Sequence, residues 1–143
     1  MKYLLLPLII CSTCTLAAPV LDNNCKSPIS GTAIRMMDKM HEEMHIDVKS
    51  IPPEGVTTEL LFNEPVSDLL SQHYAEKTYK TDTLLSISDN KEIYSSYNPR
   101  NLIIKFIFKN KEGKEDVFLV STIANGYECN VEFNGYLIVK REF

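Results

Sequence analysis

Beyond its first residues the sequence lacks any apolar run approaching the roughly 20 residues that a bilayer-spanning helix needs. The one near the start, Leu4 to Cys11, is far too short. A permanent membrane anchor is therefore not expected. Basic charge is in deficit as well, with 15 Lys and Arg against 19 Asp and Glu. Nucleic-acid binding, which relies on basic side chains to neutralise phosphates, has no footprint here. Glycine is scarce, five in 143 residues, and no Gly-rich loop suited to cradling a phosphate is present. A Ser, His and Asp ordering typical of hydrolases is missing too, as are internal repeats and low-complexity segments.

What is present begins with an address. Residues 1–17 carry Lys2, the apolar run "LLLPLIIC" and the small-residue ending "TLA" before Ala18, the layout of a cleaved export signal. Cys11 and Cys14 follow Ile10 and Thr13, which are not the small residues a lipoprotein signal uses. The expected product is an exported chain, periplasmic or secreted, of about 126 residues, enough for one domain at 18–143. Losing Lys2 moves the formal net charge from −4 to −5, which suits a soluble protein and the steering of a basic partner. Cleavage also removes two of the four cysteines. The remaining pair, Cys25 and Cys129, is expected to form a disulfide in an oxidising compartment.

The hydrophobic period then divides the chain. Ser27 as N-cap, Pro28 in the first turn and a stripe at Ala33, Met36, Met37, Met40, Met44 and Val48 predict a helix, stopped by "IPPEG" at Ile51 to Gly55. A short extended piece, "VTTELLF", leads to Asn63 as a second N-cap, with Val66, Leu69, Leu70 and Tyr74 on one helical face. Beyond Lys77 the period becomes two. "TYKTDTLLSIS" reads as a strand, "DNKEIYSSYNPRN" as a loop, and "LIIKFIFK" and "DVFLVSTIA" as a hairpin joined by "NKEGK". "NGYE" turns the chain again, and "NG" at Asn134 and Gly135 predicts a tight hairpin between "CNVEF" and "YLIVKREF". The fold class expected is α+β: two N-terminal helices packed on a C-terminal antiparallel sheet of four or five strands, cystatin-like or nuclear-transport-factor-like in architecture alone.

The densest chemistry lies in "MMDKMHEEMH", residues 36–45. His41 and His45, four apart on a helix, point about 40° from each other and suit a shared metal. Met37, Met40 and Met44 adjoin them, and a thioether-plus-imidazole set favours Cu(I). Methionine at helical spacing is also a common core filler. "MMDKMHEEMHID" resembles the opening helix of a family of exported, Met- and His-rich helical proteins, some of which bind copper. That resemblance implies Met37, Met40, His41, Met44 and His45 as ligands; it covers about a dozen residues and ends at "VKSIPPEGV", where the family continues with adjacent histidines.

"HEEMH" is also an H-E-x-x-H motif, in which the two histidines would hold zinc and Glu42 would activate water. "NEPVSD" at Asn63 to Asp68 resembles the N-E-x-x-S-D segment of thermolysin-like zinc peptidases. The resemblance implies Glu64, near the start of the second helix, as third ligand, with His73 or Tyr74 as donor. Those peptidases place a sheet ahead of the motif helix, whereas here the strands are expected after it. Glu43 and Pro65 also depart from their pattern, and a solvated helix face is the plain reading of Glu42 and Glu43. For His73, among Leu69, Leu70 and Tyr74, the plain reading is packing with one hydrogen bond.

A third reading asks for no small-molecule chemistry, no cofactor and no catalytic residue. Small exported domains with a disulfide and a sheet often bind another protein, as inhibitors or immunity proteins, and an acidic surface would steer this one to a basic partner. Tyr94 and Tyr97, on the expected loop, are the interface candidates. Binding of a protein partner is the function expected, with copper or soft-metal binding and zinc peptidase activity as alternatives.

Overall fold

The computed structural model describes residues 24–143, so the expected export signal lies outside the described residues. The first helix, α1, spans Gly31–Met44. Its N-cap is Ser30, whose hydroxyl accepts from the Ala33 amide; Ser27 and Pro28 belong to the turn leading in. His45 ends the helix in the left-handed region at φ 58°, well before the prolines of "IPPEG". Two short 3₁₀ turns, Val48–Ser50 and Pro53–Gly55, carry the chain into the sheet.

Strand β1, Val56–Pro65, is longer than "VTTELLF" suggested and precedes the remaining helices. Helix α2, Asp68–Thr81, starts from Ser67 as N-cap, and Asn63 stays in the strand. A third helix, α3, Ile87–Ser95, occupies the stretch expected to be a loop. Ser86 and Asp89 close a capping box at its start, each satisfying the other's backbone amide. The expected strand "TYKTDTLLSIS" is therefore the end of α2, a connection and the start of α3. Strands β2, Arg100–Lys109, and β3, Glu115–Ala124, form the hairpin that their alternation predicted.

Strand β4, Glu132–Lys140, runs unbroken through Asn134 and Gly135. Opposite β3, Ser121 pairs with Gly135 and Thr122 with Phe133, so Asn134 is the extra residue of a bulge. Its side-chain amide donates to Ser121 Oγ at 3.1 Å. Asn-Gly here bends a strand where the sequence suggested a hairpin. The architecture is α+β: three helices and a four-stranded antiparallel sheet in the order β1-β2-β3-β4, with the α2–α3 pair inserted between β1 and β2.

The core lies between α1 and one face of the sheet. Leu102, Ile104, Phe106 and Phe108 of β2 alternate toward it, joined by Phe118 and Val120 of β3 and by Ala33, Met36 and Met40 of α1. Phe108 stands 5.9 Å from Phe118, ring edge to ring face, and Phe118 stands 5.9 Å from Tyr136 in the same manner. Cys25 and Cys129 bring their sulfurs to bonding distance with Cα atoms 5.0 Å apart, which ties the stretch before α1 to the loop before β4. The Thr32 hydroxyl donates to the Cys129 carbonyl beside them. No helix among the described residues is long and apolar enough to cross a membrane.

Candidate functional site

The Met and His segment is divided by its own helix. Met36 and Met40 are fully enclosed, at 0% exposure, while Met37 and Met44 are half-buried against the same cluster. Met40 is thus packing, and its sulfur does not reach the surface where His41 and His45 stand. His41 is exposed, with Nδ1 3.3 Å from the Ile46 carbonyl oxygen; His45, left-handed at the helix end, no longer continues the α1 surface. Glu42 and Glu43 are exposed, as the plain reading had them. Glu43 accepts from Lys39 at 2.7 Å and from the Tyr136 hydroxyl at 2.6 Å, and the Lys39 hydrogen bond foremost holds its carboxyl below the usual range.

Glu64 does not open a helix; it lies near the end of β1 and pairs with Asn101. Because Leu102 and Ile104 face α1, Asn101 and its cross-strand partner face the other way. Glu64 and the imidazoles of α1 therefore stand on opposite sides of the sheet. No three His, Cys, Asp or Glu side chains converge as a ligand set among the described residues. His73 is exposed on α2, 5.5 Å from Tyr74 in an edge-on contact, and so is not packed in a core.

The two tyrosines expected on one loop have different fates. Tyr94 is buried in α3, 4% exposed, where its hydroxyl lies 2.8 Å from Thr78 Oγ1 and donates to Glu132 at 3.2 Å. It braces α3 against α2 and β4, and its burial pushes the phenol up. Tyr97 is 63% exposed just after α3, at φ 62°, with Asn98 following at φ 56°. A bulky residue in the left-handed region is uncommon and carries strain, which the surroundings must hold. Here the Gly126 amide donates to the Tyr97 carbonyl at 2.8 Å. An added Cβ at Gly126 would lie 3.3 Å from that oxygen, so the close approach favours glycine.

Across that bond lies Tyr127, 78% exposed, with its ring 4.7 Å from the Tyr97 ring and nearly perpendicular to it. The Asn125 side chain accepts from the amides of Tyr127 and Glu128 at 3.0 and 2.9 Å, and the Cys129 bridge follows at once. Between this turn and α3 opens a cleft of about 400 Å³. Leu85, Ile93 and Val131 supply apolar wall; Asp89, Glu92 and Glu128 are its charged residues, all acidic. Among the described residues, neither Glu92 nor Glu128 has an ion-pair partner at its carboxylate. Apolar wall, paired rings and unneutralised carboxylates together suit a side chain that is cationic at its tip and apolar along its stem.

Only Tyr97 of this cleft was a candidate in the sequence. Tyr127 stood in a predicted turn, "NGYE", where an aromatic among polar turn residues was the available signal. The pairing with Tyr97 is tertiary and has no local mark. Comparison with family models, curated proteins and solved structures found no match for the chain.

Proposed function

We propose that this chain is a small exported binding domain, non-enzymatic and of the inhibitor or immunity type, that holds a basic protein partner through the cleft between α3 and the β3–β4 turn. The observation that carries this reading is the pair of exposed, mutually braced rings of Tyr97 and Tyr127 beside the Glu92 and Glu128 carboxylates, which no cation among the described residues neutralises. Rigid aromatic anchors lose little entropy on binding, and desolvated pockets around them are where interface energy concentrates. An arginine or lysine entering here would find its stem covered by Leu85 and Ile93 and its charge met by Glu92 and Glu128. The net acidic chain adds long-range attraction for the same partner. Soft-metal binding draws less support, since Met40 is enclosed.

A backbone-amide NMR titration with a short, capped peptide of alternating leucine and arginine tests the reading. Shifts are expected at Glu92, Tyr97, Tyr127 and Glu128, and the double variant Glu92→Gln with Glu128→Gln should weaken the peptide by about tenfold, near 1.4 kcal/mol. Equal binding of a leucine–glutamate peptide, or shifts confined to another surface, would sink it.

A further inference from the structure

A different surface carries a second inference. Among the described residues β4 forms one edge of the sheet, so one side of its backbone has no strand beside it there. Leu137, Ile138 and Val139 on it are 62%, 45% and 56% exposed. A long, apolar, open edge is a template for another strand, and proteins generally blunt such edges. The opposite edge is the more blunted. Bulges bend both edge strands, β4 at Asn134 and Val139 and β1 at Leu61, and both carry charges, but β1 also ends in Pro65, which has no N–H to offer.

We infer that β4 pairs antiparallel with β4 of a second copy of this chain, centred on Tyr136. The registration follows from self-complementarity. On the face turned away from α1, β4 presents Glu132, Gly135, Leu137 and Lys140, as their partners Ile123, Ser121, Leu119 and Val117 on β3 require. Antiparallel pairing about Tyr136 sets Leu137 opposite Gly135 of the other copy and Lys140 opposite Glu132, each contact occurring twice, as two-fold symmetry demands. Beside Gly135 lies an apolar hollow of about 290 Å³, walled by Ile103, Leu119, Ser121 and this copy's own Leu137, and the proposed register brings the facing leucine to its Gly135 side. Glu132 and Lys140 already join intrachain pairs, with Lys77 and with Glu115 and Glu142, so the second copy extends an existing charge network at both ends. With one edge more open than the other, association stops at two chains instead of growing into a fibre.

Sedimentation of the disulfide-intact chain across micromolar to millimolar concentration, together with amide hydrogen exchange, reads this directly. A monomer–dimer equilibrium is expected, with protection rising at Gly135 to Ile138 as the dimer forms. Leu137→Lys, at an exposed site, should weaken it by at least about 30-fold, losing an anchor twice over. Lys140→Glu, which sets like charges face to face at two places, should weaken it by about tenfold. If Leu137→Lys unfolds, the exchange pattern of the unaltered chain still decides. A monomer persisting at millimolar concentration, or a dimer whose new protection lies elsewhere, would overturn the inference.

Discussion

At the scale of single residues, Met40 and Asp116 show how two uncommon core choices are held. Met40 fills space between α1 and the sheet without exposure, and a flexible thioether tolerates a neighbour of similar volume. Met40→Ala should cost about 2–5 kcal/mol in urea unfolding, and Met40→Leu less than about 1.5 kcal/mol. A ligand role would make leucine as damaging as alanine to any bound metal, so the two substitutions separate packing from ligation. Asp116 is fully buried opposite Phe108. One carboxylate oxygen accepts the amides of Glu142 and Phe143, at 2.7 and 3.2 Å. The other lies 3.1 Å from Arg141 Nε, close enough to pair in charge though not aligned as a hydrogen bond. Asp116→Ala leaves both amides without their acceptor, while Arg141 keeps its two bonds to the Phe143 carbonyl, and should cost about 2–3 kcal/mol, measured as a lowered unfolding midpoint with early exchange at Glu142 and Phe143.

At the scale of elements, the α2–α3 pair has the thinnest attachment. Lys77 of α2 donates to Glu132 at 2.7 Å, and Tyr94 of α3 donates to the same carboxylate. The Glu132 hydrogen bond raises Lys77, and burial raises Tyr94 and Tyr74. All three bind their protons more tightly folded than unfolded. Their contribution is therefore whole below the ordinary values, near 10, and is lost as pH climbs through the raised ones. The pair should loosen from the sheet in alkaline solution before the core unfolds, seen as tyrosinate absorbance rising together with exchange in α2 and α3. Glu132→Gln should shift that loosening to lower pH.

The same elements mark what local pattern conveys. β2 and β3 were legible because every second residue faces the core. α1 was legible from its stripe, though its start was misplaced because Ser27 and Ser30 are both good caps. α2 and α3 bury mainly small or polar side chains, Ser71, Ala75 and Asn90 besides Tyr94, so the apolar period that announces a helix is faint. The capping pair Ser86 and Asp89 was the readable sign of α3. Asn134 and Gly135 carry the same local chemistry in a hairpin or a bulge, and pairing with β3 decides between them. The metal candidates drew on residue type, spacing and two local resemblances, none of which can say that Met40 points inward or that Glu64 lies beyond the sheet. The cleft was half legible: Tyr97 could be seen, and Tyr127, thirty positions later, becomes its partner only through the Gly126 contact.

At the scale of the whole molecule, the Cys25–Cys129 pair spans a sequence separation of 104 and joins the stretch before α1 to the turn that bears Tyr127. In the chain-entropy account a loop of that size is worth about 4–5 kcal/mol. The double substitution Cys25→Ser with Cys129→Ser should lower stability by that order in urea unfolding and should also disorder Tyr127, which near-ultraviolet dichroism of the tyrosines would report. The tie at Cys129 lies just before β4, and the Asp116 latch seizes the chain just after it, at the far end of β3. Mechanical tension applied between Cys25 and Phe143 therefore passes through the disulfide into the covalent backbone of β4 itself, so that the β3–β4 rungs and the helical insertion between β1 and β2 both lie outside the line of force.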